Sequence, residues 1–291
     1  MAHLLIERLR QRLPWVRRLH REIDDLRHRL AAAESKPLVR ATAAFEPMQL
    51  GAEFRALLHF LEPHDVRGRR KLRVGGEGDG GYVMLDDFAP VRHALSLGVG
   101  PDVSWDSAVA ERGLRVFQYD DTVEASPQAH RHFVFHRNHV VAQAKSPADV
   151  TLEQILASEA LAGDNEIVAK IDIEGCEWDI LAATPSKDLA RIRQLAVEFH
   201  RMRDFSDLAW RRTAFAALRN LAATHCCIHI HGNNWVPFTV VGGVPFPDGF
   251  EATFVRRADH AAVPSTAIFP TELDRPCDPK RPDLYLGRWN Y

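Results

Sequence analysis

The chain has 291 residues, 46% of them hydrophobic and 26% charged, with 37 basic side chains against 39 acidic ones. Those proportions describe an ordinary globular protein and exclude fibrous, disordered and disulfide-scaffold classes. Charge is unevenly placed: residues 1–40 hold ten Lys or Arg against five Asp or Glu, so a basic arm of net +5 precedes a body of net -7.

An acidic body argues against a nucleic-acid binder, which would show a basic stripe. No run reaches the roughly 20 apolar residues of a membrane span. Arg8, Arg10, Arg12, Arg17 and Arg18 interrupt the start of the chain, where a signal peptide would need its apolar stretch. The expectation is a cytoplasmic protein. Cys176, Cys226, Cys227 and Cys277 form no CxxC pair, so all four read as reduced thiols and no zinc motif is spelled out.

From Leu4 to Ala33 the residues Leu5, Leu9, Leu13, Val16, Leu19, Ile23, Leu26 and Leu30 recur every three or four positions. This spacing predicts an amphipathic, coiled-coil-like helix over residues 1–36, kinked or restarted at Pro14. Its apolar face would pack on its own domain or on a twin copy in a homodimer, with peripheral membrane contact as the alternative. Residues 37–69 read as a linker and lead-in helix, 70–260 as the main domain, and 261–291 as a Pro-rich tail.

Within the body, Leu72–Val74 and Tyr82–Leu85 flank the glycines Gly75, Gly76, Gly78, Gly80 and Gly81, which reads as a hairpin or tight loop. His93–Leu97 is a buried strand ending in Gly98-Val99-Gly100, followed by a helix over 102–112 that Gly113 stops. Leu114–Tyr119 is the next strand and Phe133–Phe135 a weaker third, while His130, His132, His136 and His139 read mostly as solvated. A helix begins near Ser146-Pro147 or at Thr151, where Gln154 stands in capping-box position. Then follow a strand over 166–173, a short helix over 177–183, a strand over 195–199, a helix over 207–223, a strand over 227–230, and Phe250–Val255 to close the sheet. This alternation predicts an α/β fold with a Rossmann-like, doubly wound, mostly parallel sheet.

Ligands of such sheets bind outside the carboxyl ends of the strands. The residues there are Gly98 and Gly100, then Asp120, then Asp172 and Glu174, then Glu198 and His200, then His229 and His231. The glycines let the backbone approach a ligand, and Asp120 stands where a carboxylate would grip a ribose. The dinucleotide fingerprint would place a third glycine at Val103. Alternation puts Lys170, Asp172 and Glu174 on one side of their strand, an arrangement that suits a cavity, a metal or hydrogen-bond donors; Glu174 or Glu177 could equally cap the next helix. A histidine such as His200 beside Glu198 is a natural general base. His229 and His231 share a strand face and, with Asp172 or Glu174, have the donor types of a divalent metal site.

At these residues the sequence resembles class I S-adenosylmethionine-dependent methyltransferases of the FkbM type. The match rests on Lys170-Ile171-Asp172-Ile173-Glu174-Gly175-Cys176-Glu177-Trp178-Asp179-Ile180-Leu181, on Thr151–Leu156 and on Leu97-Gly98-Val99-Gly100. Gly78–Val83, Tyr119-Asp120-Asp121-Thr122 and Glu198-Phe199-His200 also look like signatures of that group. Ser96 departs from the family, many members of which are acidic there. The resemblance implies that Gly98, Gly100 and Asp120, with Asp172 at the border, bind S-adenosylmethionine. It implies methyl transfer to a hydroxyl of a sugar, glycoconjugate or small natural product. His200 is then the first candidate base and Asp172 the second, with Glu174 and His231 orienting the acceptor or holding a divalent ion. The alternatives are a non-catalytic scaffold on a degenerate methyltransferase fold, and an NAD(P)-dependent oxidoreductase. Against the latter, Tyr82, Tyr119, Tyr285 and Tyr291 have no lysine four positions on.

Overall fold

A computed structural model describes residues 39–41 and 47–291. The expected helix over 1–36 lies outside these residues. By its contacts Arg40–Tyr291 forms one unit, which carries the central sheet.

Seven strands form that sheet: β1 (His93–Leu97), β2 (Arg115–Tyr119), β3 (Phe133–His136), β4 (Ile167–Ile171), β5 (Ile192–Phe199), β6 (His225–Gly232) and β7 (Phe250–Arg256). Among the described residues six α-helices accompany them: α1 (Pro47–Leu58), α2 (Ser104–Glu111), α3 (Leu152–Ala157), α4 (Glu177–Ala183), α5 (Ser186–Leu189) and α6 (Leu208–Ala222). The strand order is 6-7-5-4-1-2-3. Pairs 3-2, 2-1, 1-4 and 4-5 are parallel, whereas β7 runs antiparallel to both β5 and β6. The mostly parallel, Rossmann-like sheet is therefore as expected, with one difference. Phe250–Arg256 does not close an edge but lies reversed between two parallel strands. The cause is the connection: a hairpin of Phe238–Val241 and Val244–Pro247 joins β6 to β7, and without a crossover helix the chain returns antiparallel.

Local sequence accounts for the helix boundaries. Thr151 and Gln154 form the capping box of α3, with Gln154 N donating to Thr151 Oγ1 at 3.2 Å and Thr151 N to Gln154 Oε1 at 2.9 Å. Asp207 caps α6 by accepting from Trp210 N at 2.9 Å, and Ala214, Ala217, Leu218 and Leu221 form its buried face at helical spacing. Leu50, Phe54, Leu57 and Leu58 of α1 are buried in the same apolar cluster as Ile167, Ile171, Leu195 and Phe199. Phe269 of the tail joins that cluster too. The lead-in helix and the tail thus belong to the body, whose compact unit exceeds the expected 70–260 at both ends.

The ends of β1 and β4 meet at close quarters. Asp172 N donates to Leu97 O at 2.9 Å. Gly98 sits at φ +80°, and a Cβ there would lie 1.7 Å from the Asp172 carbonyl oxygen. Only glycine satisfies both conditions. Gly98→Ala should therefore cost about 2–4 kcal/mol of stability, from overpacking plus the left-handed backbone. Urea unfolding reads this as a lower midpoint at unchanged slope; a loss below about 1 kcal/mol would mean that the two strand ends part easily.

Candidate functional site

From β1 the sheet grows to one side through β2 and β3 and then to the other through β4 and β5, all five strands parallel, so the strand order reverses between β1 and β4. Crevices form outside the carboxyl ends of strands at such a switch point. Here the crevice holds about 370 Å³ and is walled by Gly98–Asp102 after β1, Tyr119–Thr122 at β2, Asn138–Val140 after β3, and Lys170 with Asp172–Glu174 at β4. Gly100, at φ +57°, has open space where a Cβ would project. The expected residues Gly98, Gly100, Asp120, Asp172 and Glu174 all line this one cleft. His139 lines it as well, and His136 stacks on Tyr119 at 4.6 Å, so these two imidazoles are not merely solvated.

A glycine-rich loop forms one lip. Its flanking strands, Lys71–Val74 and Tyr82–Leu85, pair as a hairpin. Gln194 on β5 fastens this hairpin to the sheet, with Leu85 N donating to its Oε1 at 2.9 Å and its Nε2 donating to Leu85 O at 3.0 Å. Thr253 on β7 donates to Val83 O at 2.7 Å. Arg73 donates to Gly76 O and Gly78 O, each at 2.6 Å, and Ser104 Oγ bridges Gly76 N and Gly80 O. Asp79 and Gly80 are thereby held at the cleft.

Asp120 organises the opposite wall. One oxygen accepts from Val99 N at 2.8 Å and Gly100 N at 3.0 Å; the other accepts from Thr122 N at 2.7 Å and Thr122 Oγ1 at 2.6 Å. Burial works against the charge, but these donors outweigh it and hold the carboxyl below its ordinary value. A carboxylate has about four acceptor sites, and here the protein itself engages them. Asp121 beside it also lines the cleft and is exposed.

At β4 the regular strand stops at Ile171. The expected alternation of Lys170, Asp172 and Glu174 consequently breaks: Glu174 enters a left-handed turn at φ +56° and its side chain is exposed. Glu177, fully buried at the start of α4, holds this turn by accepting from Ile173 N at 3.3 Å and Gly175 N at 3.0 Å. The same oxygen lies 2.8 Å from His200 Nδ1. Nε2 of His200 faces Glu198 at 3.5 Å and Glu174 at 3.6 Å. Arg201, the next residue, is left-handed too, at φ +71°. Two non-glycine residues in that region, at adjoining strand ends, are the sort of strain that gathers at working sites.

These surroundings change what His200 can do. Burial opposes its charge, but the hydrogen bonds and charges of Glu177 and Glu198 push its pKa up to about 11. At neutral pH the ring is an imidazolium with no lone pair to receive a proton, so the expected base role does not suit it. Burial also pushes Glu198 up to about 8, with Asp172 adding repulsion against the pull of His200. Asp172 is raised as well, chiefly by burial and despite Lys170 and His200. Tyr82 donates to Asp172 at 3.4 Å. Asp79 rises to about 6, from desolvation and then from the nearby Asp172 and Glu251, although the residue is exposed at its outer side.

The expected metal set does not assemble. Asp172 and Glu174 group with His200, and a second group is Asp79, Glu198 and Glu251. His229 instead pairs with Asp274 of the tail at 2.7 Å, and His231 with Glu251 at 3.1 Å and Asp283 at 2.9 Å. The bulge between Cys227 and His229 and the inserted β7 separate these imidazoles from β4. His231, wholly buried and doubly paired, is not placed to orient an acceptor. Glu251 carries no signal in the sequence, whereas Asp79 and Glu177 lie inside the motifs Gly78–Val83 and Lys170–Leu181 without standing out as site residues, Glu177 being read there as a helix cap. Glu251 begins its strand rather than ending it, and so does not stand out among the polar strand ends.

The fold and site define an α/β protein with a ligand cleft at the switch point of its sheet. No protein-family model matches the chain, and no curated protein does. Among solved structures it is similar to spermidine synthase from Thermotoga maritima, at 10% identity and a TM-score of 0.33 over 73% of this chain and 79% of that one. Among the described residues no helix is long and apolar enough to cross a membrane.

The His200 electrostatics can be tested by pH. Its folded pKa lies above the unfolded value of 6.5, so its stabilisation is complete below about pH 6.5, shrinks as pH rises, and is gone above about 11. The stability gap between wild type and His200→Gln should follow that course in urea unfolding at several pH values. A ring resonance titrating near 6.5 by NMR would refute the assignment.

Proposed function

We propose that the chain is an S-adenosylmethionine-dependent methyltransferase acting on a hydroxyl of a sugar, glycoconjugate or small natural product. The observation that carries this reading is the cleft at the switch point, where the resemblance and the geometry coincide on the same residues. Its volume of about 370 Å³ falls in the range of small-molecule sites. Gly100 would leave room for close approach of the nucleoside, the Asp120–Thr122 wall would meet ribose hydroxyls, and Asn138 and His139 would border the base. The reversed β7 also departs from the 3-2-1-4-5-6 order of dinucleotide-binding sheets, which weighs against the nicotinamide alternative.

The cofactor supplies an electrophilic methyl carbon on its sulfonium, so the protein's work is positioning and proton removal. Asp172 takes the acceptor's proton: it lines the cleft, and its raised pKa makes it a stronger base than an ordinary carboxylate. The His200 imidazolium, locked by Glu177, offsets the negative charge that Asp172, Glu174 and Glu198 would otherwise accumulate.

Calorimetric titration with S-adenosylhomocysteine, with NADH in parallel, tests the reading. Micromolar binding of the first alone is expected; binding of neither would favour the scaffold alternative. Asp120→Ala should weaken that binding at least about tenfold, since it frees the 99–100 and 122 amides from their shared acceptor. Asp172→Asn should spare the binding within a few-fold yet lower turnover about 100-fold or more once an acceptor is found. Unchanged turnover would remove Asp172 as the base.

A further inference from the structure

We propose that His231, Glu251 and Cys277 form a binding site for a zinc-like divalent transition metal that fastens residues 274–283 to the sheet. The three donors are an imidazole, a carboxylate and a thiol, the set that zinc favours over magnesium or calcium. One ligand atom from each lies within 4.8 Å of the others, and all three residues are buried. His231 Nδ1 is 3.1 Å from Glu251 Oε2, and Cys277 Sγ is 3.5 Å from Glu251 Oε1. Around a tetrahedral ion with ordinary zinc bond lengths, neighbouring N, O and S ligands stand roughly 3.4–3.6 Å apart. Small side-chain shifts convert one arrangement into the other.

The donors are held in place by independent means. His231 and Glu251 are direct cross-strand partners on β6 and β7. Cys277 is fixed by its neighbour: Asp278 N donates to Asn234 Oδ1 at 2.7 Å, and Asn234 Nδ2 donates back to Asp278 O at 2.9 Å. Cys277 is a free thiol. Asp283 contacts His231 Nε2 at 2.9 and 3.1 Å, which fixes the ring so that Nδ1 faces Glu251. A carboxylate on the far nitrogen of a ligating histidine is a recurrent support of metal sites. Thiolate and carboxylate together neutralise a divalent ion, so a buried site carries no net charge. On binding, the Sγ proton and the Nδ1 proton leave to solvent, and three protein ligands leave one position for water.

Loading the full chain with cobalt(II) tests this without reference to methyl transfer, so it can fail or succeed whatever the cofactor proves to be. The expected result is one cobalt retained per chain after gel filtration, with a thiolate-to-cobalt charge-transfer band. Cys277→Ser should abolish that band, whereas Cys226→Ser and Cys227→Ser keep it. Failure to retain cobalt, or a band that survives in Cys277→Ser, overturns the proposal. Should Cys277→Ser not fold, X-ray absorption of the zinc-loaded wild type decides. A single sulfur at about 2.3 Å supports the site, and a shell of nitrogen and oxygen alone overturns it.

Discussion

The Glu177–His200 pair is the contact on which the candidate site depends. Glu177 is a fully buried carboxylate that ties three things with one oxygen: the amides of the left-handed turn after β4, the start of α4, and the imidazolium after β5. Remove it and the turn that carries Glu174 loses its acceptor, while His200 loses its strongest partner. A buried pair of this kind is a modest source of net stability, because desolvation offsets much of the attraction. Its value here lies in geometry, since it fixes the relative placement of two strand ends that contribute different side chains to one cleft.

Much of this arrangement was legible in the sequence, for identifiable reasons. Strand-helix alternation and the glycine turn located β1 through β6, because hydrophobic runs bounded by glycine or polar residues have few other solutions. Of the two helix starts the sequence offered, Ser146-Pro147 and Thr151, the capping box marks the one that forms, and the strand ends led to the cleft residues. Less legible was whatever depended on tertiary partners. Nothing local in Phe250–Arg256 distinguishes a reversed inner strand from a parallel edge. The alternation of Lys170, Asp172 and Glu174 assumed a strand that the Glu174-Gly175 turn cuts short. His200 looked like a base because a lone histidine titrates near neutrality, and only the three carboxylates gathered around it in space change that. The same applies to His229 and His231, whose partners Asp274 and Asp283 lie 45 and 52 residues downstream.

One end of the cleft and the region behind it are crowded with acid. Asp172 and Glu251 raise the proton affinity of both Asp79 and Glu198, while Lys170 and His200 supply the positive charge near Asp172. Such a surface is selective before any shape matching occurs. It favours neutral or cationic molecules and repels free phosphates and carboxylates, since like charges brought together at low dielectric are costly. The hydroxyl acceptor proposed above, if it carries no negative charge of its own, would fit this environment.

The reversed seventh strand has a consequence for how the protein comes into being. Because β7 fills the gap between β5 and β6, the sheet is discontinuous until residue 256 has been made, and the imidazoles of β6 wait longer for Asp274 and Asp283. During synthesis the growing chain therefore presents an incomplete sheet with an open gap and two uncompensated histidines, a state with unpaired strand edges exposed to other chains. Completion of the sheet thus waits on β7, and pairing of the two imidazoles on the stretch that carries Asp274 and Asp283.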